Sequence, residues 1–374
     1  MVADRYFVDR LKENLRQRRG SGSRIRFEDD SIVPSDFKDN FLMNSANKHE
    51  LGLYFAEKLI EFNSSSDENI EVLVCTHGDT VITNCRAIEL EKDITNCQSE
   101  EADQRIVRHV INCSKHYLRV DALTIDTDVL CLIIHVYPTL KANNSSIAVL
   151  CGTGLGTASM EYYNIREIGE SLGEVVCKGL PFFNAFTGCD TVSSFFGYSK
   201  GAFWNAWMTS VNKDKLTEVF TVLSDQPKEP TPGQIDTLEA FLLEVYYPGV
   251  KTCGLNRERQ KHFMRLADPN FRSIPVSRKG LVEHTKRACL QAGWLWREAL
   301  SNVDRQDPTK WGWNKDDSKF VPKWQTVTGD DSDIYKVIQV CTNCKKALCK
   351  KCKCKKDNLK CLPYCGCQQR CSNI

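Results

Sequence analysis

Nine cysteines crowd into the last 34 residues of this 374-residue chain, and they constrain its folding more than any other feature. A segment that short cannot bury an apolar core of its own, so cross-links must hold it together. The remaining ten of the 19 cysteines are scattered through the body, some of them in apolar runs such as the one ending at Cys75, as is typical of buried free thiols. This placement favours a reducing compartment and a metal site over a disulfide framework.

The spacing of the tail cysteines suits a cluster of zinc ions. Thiolates are soft ligands that zinc binds tetrahedrally, and nine of them do not divide into independent four-cysteine sites. Six terminal and three bridging thiolates would satisfy about three zinc ions, with a cluster charge of about −3 that the surrounding lysines offset. The predicted zinc ligands are Cys341, Cys344, Cys349, Cys352, Cys354, Cys361, Cys365, Cys367 and Cys371.

The tail resembles the CXC (tesmin-like) cysteine-rich domains. The resemblance rests on the stretch from Cys352 to Asn373, which ends in Cys367, three further residues, and Cys371-Ser-Asn. It implies a cluster of three zinc ions and nine cysteines, which binds DNA in several members of the family. A purely structural brace is the alternative.

Charge is unevenly distributed although the formal net charge is only +2. Residues 1–26 hold eight Lys or Arg against three acids, and residues 341–374 hold nine against Asp357 alone. Basic patches of this kind are typical of nucleic-acid binding, with solvated surface as the alternative. No apolar run approaches the roughly 20 residues of a membrane span, and Met1 leads directly into charged sequence without a secretory signal. We therefore expect DNA as a partner and no membrane.

Hydrophobic periodicity in the body predicts an α/β fold. Strand–helix–strand alternation favours a mostly parallel sheet with both faces covered by helices. The predicted elements are a helix at 49–62, a strand at 71–75, a helix at 99–113 capped by Ser99, a strand at 121–125, a continuous apolar run at 129–136 and a strand at 146–151.

Three acidic clusters fall at the ends of these elements. Glu101 and Asp103 lie at the start of a predicted helix, Asp126 and Asp128 directly follow a predicted strand, and Asp190 follows an apolar run. Ligands of open α/β sheets collect beyond the carboxyl ends of strands. Carboxylates from separate elements favour Mg²⁺ or Mn²⁺, and two such ions can activate water against a phosphodiester. Taken singly, each acid is an ordinary helix start or turn.

The order of these clusters resembles the flap-endonuclease (XPG-like) branch of the PIN-domain nucleases. Glu101-Ala-Asp103 resembles the family's E-A-E helix, Asp126-Thr-Asp128 its D-x-D strand end, and Gly188-Cys-Asp190 its G-x-D motif. The resemblance covers about residues 1–215. It implies a metal-dependent nuclease in which Glu101, Asp103, Asp126, Asp128 and Asp190 hold divalent ions.

The N-terminal segment extends this resemblance. Asp4 matches an acid that binds metal in the family, and Lys12 and Arg19 match basic residues that hold the scissile phosphate. The family also has an earlier strand with a further metal-binding acid, so we expect the chain to lack one strand and one ligand. The family's duplex-binding G-x-G-x-K-x-A hairpin corresponds to residues 197–203, where Ser199 replaces the second glycine and the lysine is shifted to Lys200.

These patterns predict three regions, namely a PIN-like nuclease domain at 1–225, a helical accessory region and linker at 226–335, and the CXC zinc domain at 336–374. The whole chain, including Trp311 and Trp313, resembles metazoan proteins that join such a body to a CXC tail. The leading hypothesis is a nuclear, metal-dependent DNA endonuclease or its degenerate descendant. The alternatives are a non-catalytic DNA-binding protein that uses the tail, and a protein-interaction module with a structural zinc cluster.

Overall fold

The computed structural model describes residues 1–4, 11–12, 22–29, 31–65, 74–77, 80–84, 94, 99–143, 145–152, 160–225, 228–249, 254–265, 271–301, 304, 306–317, 319–325, 353–356, 361 and 365–367. Within these residues the protein is mixed α/β, with many helices and short strands. None of the helices in this part of the chain combines the length and the apolar character that a membrane crossing requires.

The first part of the chain alternates helices and strands. It forms α1 (Ser45–Ser65), β1 (Val74–His77), β2 (Thr80–Thr83), α2 (Ala102–Ser114), β3 (Arg119–Thr124), α3 (Thr127–His135), α4 (Tyr137–Ala142), β4 (Ser146–Cys151) and β5 (Glu161–Asn164). The helices predicted at 49–62 and 99–113 and the strands predicted at 121–125 and 146–151 are therefore confirmed, and the apolar run at 129–136 lies mostly in α3.

The rest of the described chain is mainly helical. It forms α5 (Ile165–Leu172), α6 (Glu174–Thr187), α7 (Lys200–Thr209), α8 (Lys213–Asp225), α9 (Pro232–Tyr246), α10 (Leu255–Arg265), α11 (Arg278–Leu290), a π-helical turn (Gln291–Leu295), a 3-10 turn (Trp296–Ala299), β6 (Trp313–Asp316), β7 (Lys319–Pro322) and α12 (Lys353–Lys356).

The main sheet contains β3, β4 and β5. Strands β3 and β4 are parallel, with Leu123 opposite Leu150, whereas β4 and β5 are antiparallel, with Leu150 opposite Tyr162. The described sheet is thus mixed, and the mostly parallel sheet predicted from the sequence is not confirmed. Helices α3 and α5 pack against β4, while Leu123 and Tyr162 stay more than half exposed on the other face.

Helix α6 is the centre of the core. Its residues from Gly179 to Thr187 are all buried, and their aromatic rings pack against those of α7 and α8 in tilted arrangements. Pro181 cannot donate a backbone hydrogen bond, and the next N–H, that of Phe182, donates to Ser224 Oγ of α8 at 2.9 Å. Gly179 lets the two helices approach closely, since a Cβ there would lie 3.0 Å from Phe220 Cβ.

The chain divides into two compact units, one of Met1–Val245 with Val282–Lys323 and one of Tyr246–Leu281 with Trp324–Ile374. The second unit contains α10, where Lys261 pairs with Glu258 at 2.7 Å, and the cysteine-bearing α12. The boundaries predicted at residues 225 and 335 remain predictions.

Candidate metal centres

The N-terminus of α2 carries the first acidic cluster. Glu101 occupies the N-cap position and Asp103 lies in the first turn, but the Glu101 side chain makes no capping hydrogen bond. The Ala102 N–H donates instead to Asp4 Oδ1 at 2.8 Å, so that Asp4 caps a helix from 98 residues away. The prediction that Ser99 caps this helix is wrong, since the Ser99 hydroxyl donates to the Glu298 carbonyl at 3.4 Å and the helix begins three residues later. Three carboxylates therefore meet at the positive end of one helix.

The N-terminus of α3 carries the second cluster. Asp126 is the N-cap, and its Oδ1 accepts a hydrogen bond from the Asp128 N–H at 2.8 Å. Asp126 is exposed and Asp128 is half-buried. The chain turns sharply here from β3 into α3, which sets both carboxylates beyond the carboxyl end of the strand, as the sequence predicts.

The two clusters interact electrostatically, and the pKa of Asp103 shows this interaction most clearly. Burial and repulsion by Glu101 raise the pKa of Asp103 to about 8. Attraction by Lys12 opposes this rise, and further repulsion by Asp126 and Asp4 adds to it. The acids of α2, of α3 and of the N-terminal segment therefore form one interacting group, which we call the acid cluster.

Lys12 neutralises one member of the acid cluster. Its Nζ lies 3.0 Å from Glu101 Oε1, and the Glu101 side chain is almost completely buried. Burial raises the pKa of Glu101 even though attraction by Lys12 lowers it. Burial lowers the pKa of Lys12, but attraction by Glu101, Asp103 and Asp4 outweighs it and raises this pKa above its ordinary value. Lys12, predicted to bind phosphate, thus lies within the acid cluster, whereas Arg19 lies outside the described residues.

Asp128 has a neutral partner in addition to its charged neighbours. Asn184 Nδ2 of α6 donates to Asp128 Oδ1 at 2.8 Å. Burial raises the pKa of Asp128; the Asn184 hydrogen bond lowers it, repulsion by Asp126 raises it, and attraction by Lys200 and Lys12 lowers it. The net result is a pKa above the ordinary range of an aspartate.

Asp190 occupies an exposed turn just beyond α6. It is not among the dominant electrostatic partners of Glu101, Asp103 or Asp128, although its neighbour Cys189 does interact with Asp128. The structure thus brings five of the six predicted acids into one interacting group and places Asp190 in an exposed bend after α6.

The carboxyl groups of the acid cluster outnumber the lysines that act on them most strongly. Five carboxylates, those of Asp4, Glu101, Asp103, Asp126 and Asp128, interact with two ammonium groups, those of Lys12 and Lys200. Burial is the first cause of the raised pKa values of Glu101, Asp103 and Asp128, and repulsion between the carboxylates adds to it. Carboxylate oxygens are the ligand type that Mg²⁺ and Mn²⁺ prefer.

A set of hydrogen bonds joins α2 and the turn that contains Asp190 to residues 291–299, and we call this set the brace. Gln104 Nε2 donates to the Leu295 carbonyl at 2.6 Å, and Arg108 Nε donates to the Glu298 carbonyl at 2.6 Å. Thr191, next to Asp190, donates to Gln291 Oε1 at 2.6 Å. The π-helical and 3-10 turns at 291–299 thereby hold both α2 and the Asp190 turn. Gln104 and Arg108 lie one helical turn apart, but nothing in the sequence indicates their distant partners.

Glu161 is a further acid that the sequence analysis missed. It pairs with Cys151 across β4 and β5, and Cys151 pairs with Thr124, two residues before Asp126. Both Asp126 and Glu161 raise the pKa of Cys151, although burial is the larger cause. Glu161 therefore extends the acidic edge of the sheet.

Three cysteines of the tail form the second centre. Cys354, Cys361 and Cys365 are buried, and their three Sγ atoms all lie within 4.8 Å of one another. Cys354 Sγ and Cys365 Sγ are 3.7 Å apart, close to the roughly 3.8 Å that two thiolates span in a tetrahedral zinc site. All three cysteines are free thiols, so this group could hold a metal ion.

The remaining predicted zinc ligands are only partly described. Cys367 is buried next to this group, while Cys341, Cys344, Cys349, Cys352 and Cys371 lie outside the described residues. Among described residues, the three cysteines are the one set of three or more His, Cys, Asp or Glu residues whose ligand atoms approach this closely. No three carboxylates of the described acid cluster approach one another this closely, and Lys12 and Asn184 each contact one of them.

Neither a family model, nor a curated protein, nor a solved structure matches this chain. Functional inference therefore rests on the chemistry of the two centres themselves.

Proposed function

We propose that this chain is a metal-dependent DNA endonuclease whose zinc-binding tail contacts DNA in the nucleus. The observation that carries the proposal is the acid cluster, in which carboxylates from the N-terminal segment and from two helix N-termini surround Lys12. Burial and mutual repulsion raise the pKa values of Glu101, Asp103 and Asp128, and bound divalent cations would favour their ionised forms.

Each group of the acid cluster has a definite task in this proposal. Glu101, Asp103, Asp126 and Asp128 would hold Mg²⁺ or Mn²⁺, with Asp4 and Asp190 as further ligands. Bound ions would activate water and stabilise the charge that develops on the leaving oxygen. Lys12 would bind the scissile phosphate once Glu101 binds a cation, and the helix N-termini would add positive potential.

The tail supplies a second, separate support. Four zinc-ligand candidates, Cys354, Cys361, Cys365 and Cys367, are buried, and the exposed Lys355 and Lys356 lie among them. A three-zinc cluster of nine cysteines would display these lysines to the DNA backbone, where binding releases counterions and weakens steeply with salt.

Cleavage of labelled branched DNA with Mg²⁺ or Mn²⁺ tests the proposal. The wild type should cut, and Asp128→Asn should lower the rate by a factor of about 100 or more because it removes a ligand charge from the acid cluster. The matched control is Asp121→Asn, since Asp121 is an exposed strand residue paired with Arg119 at 2.9 Å. The control should cut like the wild type.

A second function is favoured by one specific observation. The tail cysteines approach within metal-binding distance, whereas the carboxylates of the described acid cluster do not. The same assay therefore includes a gel-shift arm. A wild type that retards DNA with a steep salt dependence, yet never cuts it, would identify a non-catalytic DNA-binding protein.

A further inference from the structure

Lys200, Asn184 and Asp128 form a chain of hydrogen bonds that runs from the surface into the acid cluster. Lys200 Nζ donates to Asn184 Oδ1, and it lies 3.4 Å from the Asn184 backbone carbonyl, which also accepts. Asn184 Nδ2 then donates to Asp128 Oδ1 at 2.8 Å. Asn184 is only 9% exposed and Lys200 is exposed. One buried amide therefore connects a surface ammonium to a carboxylate of the candidate site.

The chemistry of the two ends fixes the orientation of the amide. An ammonium group only donates hydrogen bonds, and an ionised carboxylate only accepts them. The Asn184 amide satisfies both when its oxygen faces Lys200 and its NH₂ faces Asp128. The flipped amide would place oxygen against carboxylate and NH₂ against ammonium, leaving buried polar groups unsatisfied.

The backbone holds both ends of this chain in place. Asn184 lies in the buried part of α6, and Lys200 is the first residue of α7. The Ser199 hydroxyl caps α7 by accepting from the Ala202 N–H at 3.3 Å.

We infer that Lys200 is a positioning residue, which acts through Asn184 to fix the orientation of the Asp128 carboxylate. The inference rests on the proposed function only where it concerns metal binding. Asp128 lies at the N-terminus of α3 beside Asp126, and a carboxylate that rotates freely there binds a cation less tightly than one whose oxygens are already aimed.

The first experiment needs neither metal nor DNA. Protein labelled with ¹⁵N at asparagine side chains would report the Asn184 NH₂ signals by NMR, assigned with Asn184→Asp. The wild type and Lys200→Arg should show one slowly exchanging pair, whereas Lys200→Met should show broadened or multiple signals. Lys215→Met, which removes an exposed lysine of α8, is the matched control and should leave the pair unchanged. An unchanged pair in Lys200→Met would overturn the inference.

The second experiment measures Mn²⁺ binding from the free-ion EPR signal and then the steady-state cleavage constants. Lys200→Met should weaken Mn²⁺ binding about 10-fold and lower kcat with little change in KM, whereas Lys200→Arg should keep most of both. In Asn184→Leu, adding Lys200→Met should have no further effect, since Lys200 acts through Asn184.

Two other outcomes separate this inference from the proposed function. A raised KM with unchanged Mn²⁺ affinity would mean that Lys200 contacts the substrate directly, and it would overturn the inference. A wild type that neither binds Mn²⁺ nor cuts DNA would refute the proposed function. The NMR comparison would still decide whether Lys200 orients Asn184 and Asp128.

Discussion

The acid cluster and the cysteine group are two candidate metal centres held in place in opposite ways. The acid cluster is assembled by the fold itself, since helix caps, an ion pair and a buried amide set its carboxylates before any cation is bound. Cys354 of the cysteine group lies in the four-residue helix α12, which is too short to be stable by itself, so we expect bound metal to supply the stability.

Because of this difference, the two centres should respond differently when no metal is bound. Without metal, the acid cluster keeps these contacts, while burial and, to a smaller extent, repulsion between its carboxylates raise the pKa values of Glu101, Asp103 and Asp128. In the tail, the described residues contribute the short helix α12 and the buried cysteine group. Removing metal should therefore unfold one centre and only perturb the other.

Zinc removal should have the largest effect. Structural zinc contributes about 10–16 kcal/mol of binding free energy in small metal-dependent domains. A strong chelator should make the chain beyond residue 336 sensitive to protease while the body keeps its unfolding transition. Metal analysis should find about three zinc ions per chain.

Single substitutions sharpen this test. Cys361→Ser should lower the zinc content and expose the tail to protease, whereas Cys113→Ser, in α2, should leave both unchanged. A tail that resists protease after complete chelation would show that metal does not hold it together.

Loss of the Arg108 hydrogen bond of the brace should have the next largest effect on stability. Arg108→Met removes the 2.6 Å hydrogen bond to the Glu298 carbonyl and leaves that buried oxygen without this donor. The loss should destabilise the body by about 2–4 kcal/mol in urea unfolding. Arg166→Met, in the exposed first turn of α5, should cost less than about 0.5 kcal/mol. Equal values for the two variants would show that the brace does not stabilise α2.

Local patterns predicted much of the fold and of the acid cluster. Strand β4 coincides with an uninterrupted apolar run, and the Asp126 and Asp128 pair follows a strand end that periodicity locates well. The sequence patterns did not predict the mixed sheet, because β5 is short and polar and most of the residues that connect it to β4 lie outside the described residues.

The sequence patterns also failed to predict the long-range polar contacts. Gln104 and its partner Leu295 are 191 residues apart, and their hydrogen bond leaves no period in the sequence. Asn184 left a weak signal, since a polar residue within the apolar run Phe182–Phe186 must find partners when it is buried. That rule indicates that partners exist without identifying Asp128 and Lys200.

The smallest effect should be the pH dependence of the metal-free acid cluster. The pKa of Asp103 is about 8 in the folded protein and near its ordinary 3.8 in the unfolded chain. Between these values the folded state binds more protons, so its stability should fall as pH rises from about 4 to about 8. Asp103→Asn should remove part of this loss and raise stability at pH 8 by about 1–2 kcal/mol.

Mn²⁺ should stabilise the wild type more at pH 8 than at pH 6, because protons and cations compete for the same carboxylates. Thermal unfolding at both pH values checks this, and Mn²⁺ stabilisation of equal size in wild type and Asp103→Asn would remove Asp103 from the acid cluster's ligands.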